Sequence, residues 1–180
     1  MLWSAFSSAF FGLLRSSEYC CPSPFALSPA SLLHRHLSFT KDLSSATLFL
    51  PMSKTDQYAR GAHIHLFPLP SPLCPVSALW HFAHVRRAPP ALPLFTFSNG
   101  DFLTRDVTVA ILRSAFPAMP NINTHSFRIG GASALAQAGV PEYVIQVMGR
   151  WSSDSFLRYI RTPPSALRAH HHHMLGLQDG

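Results

Sequence analysis

Thr124-His125-Ser126-Phe127-Arg128-Ile129-Gly130-Gly131, read with Gly149-Arg150-Trp151-Ser152-Ser153-Asp154-Ser155-Phe156-Leu157-Arg158-Tyr159, decides how the rest of this sequence is understood. His125 and Arg128 stand at i and i+3, so on a helix both project from one face and can reach one anion together. Thr124 is the expected N-cap of that helix, and a helix start itself favours a phosphate. Tyr159, far downstream, can be carried to the same anion by folding. After His125 the run Gly130, Gly131, Ala132, Ala134, Ala136 and Ala138 is small enough for neighbouring backbones to approach closely, with Gly139 at C′. Pro141 opens a helix through Val144, Ile145 and Met148, which Gly149 ends. Ser152 or Ser153 then caps a last helix bearing Phe156, Leu157, Tyr159 and Ile160, and Pro163 and Pro164 stop it.

The 180 residues fit one compact domain and are enough to bury a real core. A formal charge of +6 arises although only 12% of residues are charged, so the surplus is not a basic tail. It favours a polyanion-facing surface on a folded body. Cys20, Cys21 and Cys74 are odd in number, and the adjacent pair does not bridge readily, so all three are expected to be reduced, in an intracellular protein.

The apolar opening, Met1 to Leu14, lacks a basic n-region and is too short to span a bilayer. Trp3, Phe6, Phe10 and Leu13 or Leu14 recur at helical spacing, which predicts a core helix with those residues inward, and not a secretion signal. Arg15 follows near its end, where an arginine capping a helix C-terminus is the simple explanation. Prolines 22, 24 and 29 predict loop from Cys20 to Leu33. Leu37 to Phe39, Ala46 to Leu50 and Ala62 to Phe67 are β-prone and suggest a small antiparallel sheet, the last two forming a hairpin whose turn carries Lys54. By itself a hairpin lysine is a solvated edge charge.

Pro75 to Arg87 reads as a helix with Val76, Leu79, Trp80 and Ala83 inward. Arg86 and Arg87 suit the dipole at its end. Thr104 caps a further helix to about Phe116, with Arg105 and Arg113 as possible phosphate contacts. His63 and His65 on a strand, His81 and His84 on a helix, and the run His170 to His173 lack the cysteine or carboxylate partners of a zinc site.

The two opening stretches resemble the catalytic half of the tyrosine recombinase (phage-integrase-like) family, most closely the recombinases of eukaryotic DIRS-type and Crypton mobile elements. Arg15 with Glu18, Ser53-Lys54-Thr55-Asp56, and the Tyr159-Ile160-Arg161-Thr162-Pro163 run match its motifs in order. The resemblance implies a mainly α (α+β) catalytic domain with a small antiparallel sheet over residues 1–163 and a tail over 164–180. It also implies an N-terminal helical clamp domain that this sequence does not contain.

For function, the resemblance implies site-specific recombination or integration of double-stranded DNA through a covalent 3′-phosphotyrosyl intermediate. Tyr159 attacks, Arg15 and Arg128 hold the phosphate oxygens, Lys54 protonates the leaving 5′ oxygen, His125 accepts the tyrosine proton or bonds the phosphate, and Trp151 fills a position taken by His or Trp. No cofactor and no metal are implied, and a chain with eight acidic residues has few ligands to offer a magnesium nuclease. Self-association on DNA, as a tetrameric synapse in relatives, is expected, with a nuclear location if the source is eukaryotic, as the resemblance suggests, a cytoplasmic one otherwise, and no secretion or membrane role. The alternatives are a catalytically inactive DNA-binding remnant of a mobile element and a type IB topoisomerase, whose chemistry is related but whose motif context fits less well.

Overall fold

Small side chains, and not the aromatic ones, form the buried face of the first helix. The computed structural model describes residues 1–52 and 60–161. In α1 (Leu2–Phe11) the buried residues are Ser4, Ala5, Ser7, Ser8 and Ala9, while Trp3 is exposed and Phe6 and Phe10 are half-buried. This corrects the expectation that the Trp3, Phe6 and Phe10 stripe turns inward. Helix α1 packs against both α3 (Pro75–Arg86) and α5 (Ser126–Gln137) through its small residues, and the rings flank that face: Phe6 stacks on Phe127 of α5 at 4.8 Å between centroids, while Trp3 is left exposed. A Cβ on Gly131 of α5 would lie 2.5 Å from the Phe10 carbonyl oxygen, so a small residue sets that approach. Buried serine hydroxyls need partners. Ser4 Oγ donates to the Ala78 carbonyl at 2.8 Å, and Ser7 Oγ to that of Trp3 at 2.8 Å.

Arg15 does not end a helix. It is the N-cap of α2 (Ser16–Tyr19), and Glu18 turns back to accept its backbone N–H at 2.8 Å. A cation at a helix start opposes the helix dipole, so the C-terminal capping explanation fails and the Glu18 carboxylate supplies the compensation.

Three antiparallel strands follow, β1 (Leu37–Phe39), β2 (Ala46–Leu50) and β3 (Ala62–Leu66), in the order β1-β2-β3. Leu48 faces Leu37 on one side and Ile64 on the other. The period of two in β2 buries Ala46, Leu48 and Leu50. Strand β3 stops one residue short of the expected Phe67, which is exposed. Lys54 lies outside the described residues.

Helix α3 buries Val76, Ala78, Leu79 and Phe82, and Trp80 turns out to stack on His84 at 4.6 Å between ring centroids. Trp80 therefore does not serve the core as expected, whereas Val76 and Leu79 do. Thr104 caps α4 (Arg105–Ala115) as anticipated, its hydroxyl accepting from Val107 N at 3.3 Å. Helix α5 ends as expected with Gly139 in the left-handed region (φ 73), where the N–H groups of Gly139 and Val140 return to Ala136 and Leu135. Its start differs from expectation. His125, not Thr124, is the N-cap; Thr124 is buried, and the Asn123 side chain accepts the His125 N–H at 2.8 Å.

Helix α6 (Glu142–Gly149) closes through Arg150, which holds a left-handed backbone (φ 57). The last element, Asp154–Tyr159, is a 3-10 helix with Ser153 as its cap. Three residues per turn eclipse Phe156 and Tyr159 on one face, and both pack on the same cluster. Two cores result. The larger unites α1, the sheet and α3 with Leu94, Phe95 and Leu103; the smaller has Ala132, Ile145 and Phe156 at its centre, with Trp151 and Tyr159 against it. All three cysteines are free and buried, and among the described residues no helix is long and apolar enough to cross a membrane.

Candidate active site

A cleft of about 630 Å³ lies between the two cores, and Arg15, His125, Arg128, Trp151 and Tyr159 all line it. They come from four places in the chain: the start of α2, the start of α5, the turn after α6 and the final 3-10 helix. Arg105, at the start of α4, lines the cleft too, and with Arg113 it continues along a neighbouring groove.

Arg15 is held on two sides. Its Nη1 donates to Glu18 Oε1 at 3.1 Å and its Nη2 to the carbonyl of Arg150 at 3.1 Å. Glu18 is 1% exposed and also accepts from Arg150 Nη2 at 2.9 Å. Buried carboxylates need such compensation, and two guanidiniums supply it.

His125 and Arg128 share a face of α5, but their surroundings differ. The segment before them is pinned by Tyr19, whose hydroxyl donates to the Thr124 carbonyl at 2.8 Å. His125 is half-buried, and burial first, then the cations Arg128, Arg15 and Arg105, hold its imidazole below the usual 6.5. It is neutral at pH 7 and able to take a proton. Arg128 is 1% exposed, donating from Nη1 to the Leu13 carbonyl and from Nη2 to that of Gly149. Burial, followed by Arg15 and Arg150, pushes it down to about 9, which leaves it cationic at neutral pH.

Trp151 is the floor. The Arg128 guanidinium carbon stands 4.0 Å from its ring centroid, a cation–π contact strengthened by burial. Gly149 makes room for it, since a Cβ there would coincide with the Trp151 ring. Tyr159 meets His125 edge-on at 4.9 Å between centroids and Trp151 at 5.4 Å. Its backbone is clamped by Ser133, whose hydroxyl donates to the Tyr159 carbonyl at 3.0 Å and accepts from Arg161 N at 2.9 Å.

The structure thus brings together five of the six residues named from the sequence, and the sixth, Lys54, is outside the described residues. Arg150 and Ser133 had no role in the sequence reading. Arg150 stood inside a quoted motif, whereas nothing in the sequence marks Ser133. Chemically the cleft sets a phenol beside a neutral imidazole, with guanidiniums near by that outnumber the one carboxylate, Glu18, among the charges acting on Arg128. That arrangement suits a phosphate diester under attack by an oxygen nucleophile.

No protein-family model matches the sequence, and no curated protein matches it either. Solved structures do match in fold. The XerH site-specific recombinase bound to palindromic difH substrate, in a post-cleavage complex, aligns with a TM-score of 0.66 and 14% identity over 94% of this chain and 44% of that one. The Tn1549 transposon integrase in complex with circular intermediate DNA gives 0.56 and 17% over 93% and 56%. An Flpe mutant in a DNA Holliday junction complex gives 0.53 and 17% over 99% and 46%. The helices and the small three-stranded sheet are the fold of a tyrosine recombinase catalytic domain. The chain spans about half the length of the structures it matches.

Proposed function

We propose that this chain is the catalytic domain of a DNA recombinase that breaks and rejoins strands through a tyrosine–phosphate bond. The convergence of Tyr159, His125, Arg15, Arg128 and Trp151 on one cleft carries this reading. Tyr159 Oη attacks phosphorus as His125 takes its proton; the new O–P bond forms while the bond to the 5′ oxygen breaks. Arg15 and Arg128 stabilise the charge that builds on the non-bridging oxygens. The departing 5′ oxygen takes a proton from Lys54. The partner is double-stranded DNA, a reading supported by the Tn1549 integrase and the Flpe mutant, which share the fold and are described in complex with DNA. The domain occupies residues 1–163, and the protein works in the nucleus as part of a self-associated complex of a DIRS-type or Crypton element.

The test is incubation with a nicked suicide duplex followed by denaturing electrophoresis. A denaturant-resistant protein–DNA adduct supports the reading, and its loss in Tyr159→Phe locates the bond. One observation favours the second reading, a DNA-binding remnant: Arg128 is buried and its Nη1 and Nη2 both serve backbone carbonyls. DNA binding without any adduct, even when a clamp domain is supplied, would decide for the remnant.

A further inference from the structure

Arg150 is woven into the groups that hold Arg15 and Arg128 in the cleft. Its Nη2 donates to Glu18 Oε2 at 2.9 Å and to the Leu13 carbonyl at 3.1 Å, and its Nη1 to the carbonyls of Gly12 at 3.1 Å and Met148 at 3.2 Å. Glu18 is also the carboxylate that grips Arg15, and Leu13 O is also the acceptor of Arg128. The backbone carbonyl of Arg150 takes a further bond from Arg15. Arg150 thus shares one acceptor with each of its two neighbours and is the link between them.

The backbone here is unusual as well. Leu13 (φ 47) and Arg150 (φ 57) both hold left-handed conformations that residues with side chains avoid, and the two are bonded to each other. Strained backbones persist where the surroundings over-determine them, and they cluster at functional sites. A glycine at position 150 would hold this turn without strain, so the turn alone does not call for arginine. Lysine would not serve either: a planar fork is needed to reach Glu18, Leu13 and Gly12 at once.

We propose that Arg150 is a positioning residue, fixing the guanidiniums of Arg15 and Arg128 relative to one another in the cleft through Glu18 and the Leu13 carbonyl. This rests on the recombinase reading for its catalytic consequence, but the ordering itself does not. Three mutually repelling cations are held in place because carboxylate and carbonyl oxygens are interleaved between them.

Arg150→Gly removes the guanidinium and relaxes the turn, which makes it the informative variant. Two measurements test the idea. In the free protein labelled with ¹⁵N-arginine, hindered rotation gives Arg15 and Arg128 resolved Nη signals; in Arg150→Gly these collapse, while Arg86, bonded to the Phe97 carbonyl away from the cleft, keeps its own. In single-turnover adduct formation Arg150→Gly is slowed by about 100-fold, and the Arg15→Ala/Arg150→Gly pair is slowed by clearly less than the product of the two single effects, because the share that acts through Arg15 is already lost. Unchanged Arg15 and Arg128 signals in Arg150→Gly overturn the proposal, as does a double variant slowed by the product of the two single effects. If the wild type forms no adduct, the recombinase reading falls and the side-chain signals alone decide this one.

Discussion

The guanidinium carbon of Arg128 lies 4.0 Å from the centroid of the Trp151 ring, and the same ring stands 5.4 Å from that of Tyr159. One indole therefore covers a buried cation and supports the residue proposed as nucleophile. It does both from the smaller core, where it also meets Phe156 at 6.0 Å.

Trp151→Ala should remove both supports. The half-buried ring leaves a void beside Phe156 and exposes Arg128, and equilibrium denaturation should show a loss of about 2–4 kcal/mol. Adduct formation should fall with it. Trp151→Phe keeps an aromatic face and should retain most of both; equal damage in the two variants would show that the indole is needed for something other than packing and charge.

Tyr159→Phe deletes one hydroxyl and should abolish adduct formation while stability and non-covalent DNA binding hold. Arg128→Ala should lower the adduct rate by about 10²–10³, and it should also destabilise the fold. The Gly149 carbonyl loses its Arg128 donor, at a cost of about 1–3 kcal/mol, whereas the Leu13 carbonyl keeps its bond from Arg150. A thermal melt read beside the adduct assay separates the two variants.

The pH dependence follows from His125, whose imidazole lies below 6.5 because of burial and then Arg128, Arg15 and Arg105. As proton acceptor it should keep working on the acid side of 6.5, with the adduct rate falling only as pH drops through the lowered value. For stability, folded and unfolded states are both neutral at His125 above 6.5. Below 6.5 the unfolded chain protonates first, so stability declines until the folded value is passed. Melting temperature against pH should lose this component in His125→Gln, and an unchanged slope would contradict the assignment.

Two glycine substitutions should fail for different reasons. Gly149→Ala drives a methyl into the Trp151 ring, so it should disturb tryptophan fluorescence and impair the cleft. Gly139→Ala meets nothing within 4 Å but inherits φ 73, and should cost about 1 kcal/mol with the cleft intact. Comparable loss of adduct formation in both would remove the special role given to the space under Trp151.

What the sequence revealed and concealed follows from distance along the chain. His125 and Arg128 were legible because one helical turn carries both, and the sheet because β2 alternates cleanly. On α1 the serines and alanines between the rings form the buried face, and on α3 Val76 and Leu79 are buried as expected while Trp80 is exposed and Phe82 is buried, since ring size by itself does not say which side of a helix meets a neighbour. The cap of α5 lies one position later than expected, at His125, whose N–H is accepted by the side chain of Asn123 and not by that of Thr124. The role of Arg150 was hidden because its carboxylate partner, Glu18, is 132 residues away in sequence.

The division between the cores has a kinetic consequence. Arg15 is anchored beside the large core, whereas Trp151 and Tyr159 belong to a cluster that, among the described residues, has Ala132, Ile145 and Phe156 fully buried at its centre. Segments with few buried apolar contacts open at lower free energy than the body they rest on. The last stretch of the described chain can therefore lift away while α1, α3 and the sheet stay folded, withdrawing the phenol from the guanidiniums. Hydrogen exchange should show the amides of Trp151 to Tyr159 exchanging through a sub-global opening, so that on the proposed function the fraction of time Tyr159 is seated, and not the melting point of the whole, would limit the rate of strand cleavage.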